Sequence, residues 1–170
     1  MAENARPGSK YYDKLDTTKV AVAGFSCGGL EAYAVSHDPR VTTTGIFSSG
    51  LLNDADDYQL RRLTEPVAYF IGGPSDIAYP NVIDDWGMLP AGLPAFTGNL
   101  SIGHGGTYDQ PNGGEFGRVA VLYLKRHAGL HRRMHRAGPV EQRLRRDRHL
   151  RRNLFSPPLT DLPARRAGTQ

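Results

Sequence analysis

The 170-residue sequence has few of the features that mark secreted disulfide-rich, zinc-binding or membrane proteins. Its one cysteine, Cys27, excludes a framework of intramolecular disulfides and any zinc site built from several cysteines. No apolar run approaches the roughly 20 residues of a membrane-spanning helix, and the polar first ten residues do not resemble a signal peptide. Hydrophobic residues make up 39% and charged residues 22%, which predicts one globular domain and no membrane association.

Charge is divided unevenly along the chain. Residues 1–125 hold nine Lys/Arg and 14 Asp/Glu, a net charge of −5, whereas residues 126–170 hold 12 Arg, no Lys and three Asp/Glu, a net charge of +9. The acidic body argues against specific binding of nucleic acid, and the Arg-rich segment is predicted to be disordered. Its bias toward Arg over Lys favours a shifted reading frame or a retained intron, and an arm for anionic partners is the alternative.

Short apolar runs alternate with helical patterns over residues 19–125. Strands are predicted at 19–23, 43–47, 66–71 and 95–102, and helical segments at 30–37, within 53–65, at 81–88 and at 116–124. In the first helix, Leu30, Tyr33, Ala34 and His37 are expected to share one face. Strands that alternate with helices predict an α/β fold, with a mostly parallel sheet of about four strands and flanking helices.

Residues 24–28, GFSCG, match the pattern G-x-S-x-G between a predicted strand and a predicted helix. In this pattern a strained turn holds a nucleophile, and the N–H groups at the start of the helix face developing negative charge. We therefore predict Ser26 as a nucleophile and the backbone N–H of Cys27 as an oxyanion donor, with the Cys27 side chain buried as a small packing group. A phosphate-binding turn is the alternative, but no phosphate-loop pattern follows it.

A serine nucleophile needs a base, and the base needs an acid that orients it. Asp76 follows the third predicted strand and His104 the fourth, so both are expected at the carboxyl edge of the sheet, where sites in α/β folds gather. The order serine, acid, histidine along the chain is the order found in hydrolases with this turn. The sequence therefore predicts a catalytic triad of Ser26, Asp76 and His104.

Other polar residues are weaker candidates. Asp54 is the second choice for the acid, because some hydrolases carry the acid after the preceding strand. The neighbours in Ser36-His37-Asp38 point in different directions at a helix end, and the aspartates at 84 and 85 are expected on a helix surface. Three histidines spaced by four could bind a metal, but adjacent arginines argue against it: His127, His131 and His135.

Three stretches of the chain resemble the α/β-hydrolase superfamily: residues 14–41, 65–81 and 92–117. The likeness is greatest to fungal, often secreted, serine-esterase-like hydrolases, and the dienelactone-hydrolase and polyester-hydrolase branches look similar. The resemblance implies hydrolysis of small carboxylic esters through an acyl-enzyme, without a cofactor. True dienelactone hydrolases use a cysteine nucleophile, whereas here Ser26 holds that place.

The chain also departs from that family. The family has more strands before the nucleophile than residues 1–18 can supply, so we expect residues 1–125 to be the C-terminal part of a hydrolase domain. The loop that donates a second oxyanion N–H would then be missing, and the first strand would form an exposed edge that favours self-association. The alternative function is a catalytically inactive fragment with an anion-binding tail at 126–170.

Overall fold

The computed structural model describes residues 1–127 of the chain. In order, its elements are α1 (Ala2–Ala5), β1 (Val20–Phe25), α2 (Cys27–Val35), β2 (Val41–Phe47), α3 (Tyr58–Arg61), β3 (Val67–Ile71), α4 (Tyr79–Met88), β4 (Ala95–Asn99) and α5 (Gly114–His127). Each strand and helix predicted from the sequence forms, with its ends shifted by a few residues, and the short α1 was not predicted. The predicted α/β fold is therefore confirmed. The Arg-rich segment, which was predicted to be disordered, lies outside the described residues from residue 128 onward.

The four strands form one parallel sheet in the order β1-β2-β3-β4. Because all neighbours are parallel, the carboxyl ends of the four strands meet at one edge of the sheet. β3 lies inside the sheet and is buried along its whole length, whereas β1 alternates between half-buried and exposed residues at the side. The predicted edge position of β1 is thus confirmed, and self-association through it stays a prediction.

Helices cover both faces of the sheet, and each face has its own apolar core. On one face, β2 and β3 pack against α2, α3 and α4 through Ile46, Tyr69, Tyr33, Leu60 and Val82. On the other face, α5 packs against the sheet through a second cluster: Ala68, Phe70, Phe116, Val119 and Tyr123. Burial of these side chains is the main source of stability for a three-layer α/β fold. Within residues 1–127, no helix has the length and apolar character to cross a membrane.

The face that α2 buries differs from the predicted one. The buried stripe is Gly29, Ala32, Tyr33 and Ser36, whereas Ala34 and His37 are exposed. Of the predicted face, Tyr33 is buried and Leu30 packs half-buried against the same core. The reason for the difference is the close approach of α2 to the sheet, because a Cβ on Gly29 would lie 2.4 Å from the side chain of Ser49. A residue without a side chain therefore forms the contact, and hydrophobic periodicity does not detect it.

α4 buries a carboxylate that the sequence analysis placed on the helix surface. Asp84 is exposed as expected, but Asp85 is 1% exposed, so the prediction for Asp85 was wrong. Asp85 lies one turn after the buried Val82 and thus on the helix face that meets the sheet. Its Oδ2 accepts hydrogen bonds from the hydroxyl of Tyr33 at 2.6 Å and from the backbone N–H of Leu51 at 3.0 Å.

The Asp85 network extends into the core through two phenols. The hydroxyls of Tyr33 and Tyr69 lie 2.8 Å apart, and the Tyr69 ring contacts the indole of Trp86 edge-on at 5.9 Å between centroids. Burial raises the pKa of Asp85 to about 7, although the hydrogen bonds from Tyr33 and Leu51 act in the opposite direction. The carboxyl group of Asp85 therefore gains or loses its proton near neutral pH.

Candidate active site

Ser26 is the single residue between the last residue of β1 and the first residue of α2. Its backbone has φ 51° and ψ −122°, in a region that residues other than glycine rarely adopt. Hydrogen bonds hold this turn on both sides, because the Ser26 N–H donates to the carbonyl of Phe47 at 3.0 Å and the Ser26 carbonyl accepts from Gly29 at 2.8 Å. The strained turn that G-x-S-x-G predicts is therefore present, and Ser26 lies half-buried at the carboxyl edge.

The two glycines of the G-x-S-x-G pattern have different surroundings. A Cβ on Gly24 would lie 1.9 Å from the carbonyl oxygen of Gly28, because β1 and α2 cross there in direct backbone contact. A Cβ on Gly28 would meet no atom within 4 Å. The close approach of strand and helix thus requires the first glycine, whereas the position of the second has room for a side chain.

Asp76 lies in the turn after β3 and is 1% exposed. Its Oδ2 accepts a hydrogen bond from the N–H of Gly72 at 2.9 Å, and its Oδ1 accepts one from the N–H of Ala78 at 3.0 Å. Burial by itself would raise the pKa of Asp76. Hydrogen bonds from Ala78, His104, Gly72 and Ser48 outweigh burial, and the pKa lies below its usual value. Asp76 is therefore an ionised carboxylate at neutral pH.

His104 is held beside Asp76 by direct contact between the loops that follow β3 and β4. The N–H of Gly103 donates to the carbonyl of Gly72 at 2.8 Å, and a Cβ on Gly72 would lie 1.9 Å from the Gly103 oxygen. Gly103 has φ +77°, which favours glycine and turns the chain into His104. Nδ1 of His104 then lies 2.7 Å from Oδ1 of Asp76.

The other side of the His104 ring faces Ser26. Nε2 of His104 lies 3.1 Å from Oγ of Ser26, so the three side chains form one continuous hydrogen-bonded chain. The Asp76 side chain is fully buried, whereas 28% of the His104 side chain is exposed. The structure thus brings together the three residues that the sequence predicted, from the ends of β1, β3 and β4, and their catalytic roles stay a prediction.

Aromatic rings pack around the exposed side of the hydrogen-bonded residues Ser26, His104 and Asp76. The Phe25 ring lies 5.1 Å from the His104 ring and 4.8 Å from the Tyr108 ring between centroids. Phe25 is 45% exposed although it belongs to a strand, because β1 is the edge of the described sheet. Burial raises the pKa of Tyr108 to about 12, so this phenol keeps its proton at neutral pH.

Sequence reasoning did not single out Ser48, which also lies at this edge. Ser48 follows β2, is 1% exposed and has φ 42°, an uncommon value for a serine. Its hydroxyl oxygen lies 3.5 Å from the hydroxyl oxygen of Tyr108. The only signal in the sequence is its place after the second strand, at the same sheet edge as Ser26, Asp76 and His104.

Cys27 begins α2, and its two predicted properties have different outcomes. Its N–H is one of the four at a helix start that have no acceptor within the helix, which is what an oxyanion donor requires. That role stays a prediction. The Cys27 side chain is exposed, so the expectation of a buried packing group was wrong. The first turn of α2 follows the edge strand β1, where no further strand of the described sheet covers it.

The weaker candidates for site residues lie apart from Ser26, His104 and Asp76. Asp54 is exposed in a 3-10 turn after β2, and the carboxylate beside His104 belongs to Asp76. In the run 36–38, the Ser36 hydroxyl donates to a backbone carbonyl of α2, the histidine is exposed, and the aspartate pairs with Arg40. These neighbours therefore do not form a site together, as predicted.

The histidine series is only partly within the described residues. The ring of His127 lies 4.5 Å from the ring of Tyr123, whereas His131 and His135 lie outside the described residues. Between residues 1 and 127, no three or more His, Cys, Asp or Glu side chains form a group that could hold a metal ion.

The hydrogen-bonded residues Ser26, His104 and Asp76 can transfer a proton. His104 can accept the hydroxyl proton of Ser26 at Nε2, while the ionised Asp76 holds the proton on Nδ1 and stabilises the imidazolium. No protein-family model matches the chain, and no curated protein matches it significantly. The geometry and chemistry of this site are accordingly the basis for the functional proposal.

Proposed function

We propose that the protein is a serine hydrolase of the α/β-hydrolase type that cleaves carboxylic esters through an acyl-enzyme. The observation that supports this most strongly is the unbroken chain from Ser26 to His104 to Asp76, with contacts of 3.1 and 2.7 Å. The strained turn at Ser26 and the order serine, acid, histidine along the chain support the same class.

Acylation begins with Ser26. Its Oγ attacks the ester carbonyl carbon while its proton passes to Nε2 of His104. The negative charge moves to the carbonyl oxygen, which the N–H of Cys27 at the start of α2 stabilises. The bond to the alcohol then breaks, His104 gives its proton to the departing alkoxide, and the acyl group stays on Ser26.

Deacylation repeats these steps with water as the nucleophile. His104 takes a proton from water, the oxygen attacks the acyl carbon, and the bond to Ser26 breaks as His104 returns the proton to its Oγ. Asp76 stays ionised throughout, in keeping with its lowered pKa, and holds His104 in the tautomer with the proton on Nδ1. This role needs no proton on Asp76 at any step.

The proposal is tested by labelling the full chain with a fluorophosphonate probe and by measuring turnover of p-nitrophenyl acetate. We expect Ser26→Ala to abolish labelling and to lower turnover to the buffer rate, because the nucleophile is removed. Ser75→Ala is the matched control, since Ser75 is an exposed serine in the turn that carries Asp76. It is expected to label like the unchanged chain.

Two outcomes would contradict the proposal. Labelling that persists in Ser26→Ala but is lost in Cys27→Ser would assign the nucleophile to the neighbouring thiol. If the unchanged chain shows neither labelling nor turnover above buffer, the alternative of an inactive chain with an anion-binding tail is favoured. Salt-dependent retention of that chain on heparin would then support the alternative directly.

A further inference from the structure

Large apolar side chains are exposed at the carboxyl edge of the sheet, where the candidate site lies. Each strand contributes one, at its last residue or in the loop that follows it: Phe25, Leu52, Ile77 and Ile102, which are 45, 66, 78 and 44% exposed. A single exposed apolar residue is ordinary on a protein surface. One at the end of every strand, at the edge where Ser26, Asp76 and His104 meet, points to an apolar ligand.

Two of these apolar residues are direct neighbours of site residues. Phe25 precedes Ser26, and its ring lies 5.1 Å from the ring of His104 between centroids. Ile77 follows Asp76 and is the most exposed large apolar residue of the described chain. An ester whose carbonyl carbon reaches Oγ of Ser26 therefore has apolar side chains beside it. Contact with them removes apolar surface of the ester from water, which favours binding.

The same edge lacks lysine and arginine within the described residues. The loops after β2, β3 and β4 span residues 48–57, 72–78 and 100–113, and none of them contains either residue. The acidic residues in these loops are Asp54, Asp56, Asp57, Asp76 and Asp109. The one arginine between residues 20 and 60 is Arg40, which precedes β2 at the opposite edge and pairs with Asp38. A carboxylate on a substrate would thus find no cation in these loops.

We propose that the site selects uncharged esters with apolar groups and disfavours esters that carry a carboxylate on either the acyl or the alcohol side. This inference rests on the proposed function, because a substrate preference requires that Ser26 hydrolyses esters. An apolar group gains contact with Phe25 and Ile77, whereas a carboxylate loses water beside them without gaining a partner. The aspartates of the loops add a repulsion that salt screens.

The test compares kcat/KM of the full chain for two pairs of chromogenic esters, each value divided by the rate constant for hydroxide. The first pair is p-nitrophenyl hexanoate and the mono-p-nitrophenyl ester of adipic acid, whose acyl chains are equally long and differ by a terminal carboxylate. The second pair is p-nitrophenyl acetate and 3-carboxy-4-nitrophenyl acetate, which differ by a carboxylate on the alcohol. The uncharged ester of each pair is expected to react roughly tenfold faster, because its partner must desolvate an unpaired carboxylate.

Ile77→Lys tests the charge of the edge, because it places a cation at an exposed position beside Asp76. It should lower the ratio in one or both pairs by roughly threefold, the size of an exposed ion pair, and added salt should remove the change. Val121→Lys is the matched control, since Val121 is an exposed apolar residue on α5 and outside the loops at the carboxyl edge. It should leave both ratios unchanged.

Phe25→Ala tests the apolar contact. Because Phe25 also packs against His104, turnover of p-nitrophenyl acetate should fall as well, so the informative quantity is the ratio of hexanoate to acetate. That ratio should fall roughly fourfold, the effect of one methylene group that loses its contact. Val35→Ala is the control, because it shortens a similarly exposed apolar residue at the far end of α2, and it should keep the ratio.

The outcomes separate this inference from the proposed function. A carboxylated ester that reacts as fast as its uncharged partner, with turnover that depends on Ser26, would overturn the inference and leave the proposed function intact. Ratios in Ile77→Lys that equal those of Val121→Lys would also overturn it. An unchanged hexanoate-to-acetate ratio in Phe25→Ala would overturn the role of Phe25 in substrate binding. Absence of Ser26-dependent turnover for all four esters would overturn both proposals together.

Discussion

Asp76 and Asp85 are each 1% exposed and held by hydrogen bonds; Asp76 lies in the turn after β3, and Asp85 lies on the buried face of α4. The pKa of Asp76 lies below its usual value, whereas that of Asp85 is raised to about 7. Asp76 lies at the carboxyl edge beside the half-exposed His104, and Asp85 lies in the core beside Tyr33. Exposure to solvent is the same for both carboxylates, but burial is the largest cause of the raised pKa of Asp85, whereas hydrogen bonds outweigh burial at Asp76.

Hydrogen-bond donors and neighbouring charges decide how far burial changes each pKa. Asp76 accepts from two backbone N–H groups and from the imidazole of His104, which becomes a cation when it takes a proton. Asp85 accepts from one N–H and one phenol, and the carboxylates of Asp57 and Asp84 repel its charge. Rigid backbone donors stabilise a buried anion best. The protein thus contains one carboxylate suited to constant charge and one suited to gain or lose a proton.

The largest expected contrast between the two carboxylates is in turnover. Asp76→Asn should lower kcat for p-nitrophenyl acetate by roughly 10⁴-fold, because an amide can donate to Nδ1 and stabilise the wrong imidazole tautomer. Asp85→Asn is the matched change in the core, and its kcat should stay within about threefold, the range expected away from reacting atoms. Equal losses in the two variants would show that the proposed division between site and core is wrong.

A second contrast is in the pH dependence of stability. The pKa of Asp85 is raised from 3.8 to about 7 in the folded chain. Between these two pH values the folded chain binds more protons than the unfolded chain, so the free energy of unfolding falls as the pH rises. The loss from this group is on the order of 4 kcal/mol between pH 4 and pH 8. Asp76 acts in the opposite sense, because its lowered pKa gives stability that is lost only as pH falls.

Urea unfolding midpoints at several pH values measure this effect. Asp85→Asn should flatten the decline above pH 5 and be more stable than the unchanged chain at pH 8, since the asparagine oxygen can still accept from Tyr33 and Leu51. Asp76→Asn should keep the decline. A decline that persists unchanged in Asp85→Asn would locate its origin in another group.

The smallest expected effect concerns α2, which joins the two regions, since Ser26 precedes it and Tyr33 lies within it. Gly28→Ala should change the free energy of unfolding by less than about 1 kcal/mol and leave turnover intact, because a Cβ there meets no atom within 4 Å. Gly24→Ala is the contrasting variant, with a Cβ 1.9 Å from a backbone oxygen. Equal stability of the two variants would contradict the crossing geometry of β1 and α2.

The fold and the meeting of Ser26, Asp76 and His104 could be predicted because they depend on local patterns. Apolar runs that end in small residues mark the strands, and parallel strands bring their carboxyl ends to one edge whatever the loops between them do. Asp76 and His104 each follow such a run within a few residues. Their approach therefore required only the fold class and the order along the chain.

The errors arose where distant partners decide the structure. Asp85 is buried because Tyr33, 52 positions earlier, presents a hydroxyl to it, and nothing near Asp85 in the sequence records that partner. The buried face of α2 was predicted only in part, at Leu30 and Tyr33, because Gly29 contributes space instead of apolar surface. Ser48 was overlooked because its partner Tyr108 is 60 positions away and only the folded sheet brings their hydroxyls together.

The position of Trp86 has a practical consequence. It is the sole tryptophan of the 170 residues, and it touches Tyr69 in the layer that contains Asp85. Its fluorescence is therefore an intrinsic optical reporter of that layer, and no dye needs to be attached. Emission during titration or unfolding, read beside colour released from a nitrophenyl ester, would follow core and site separately in a single sample.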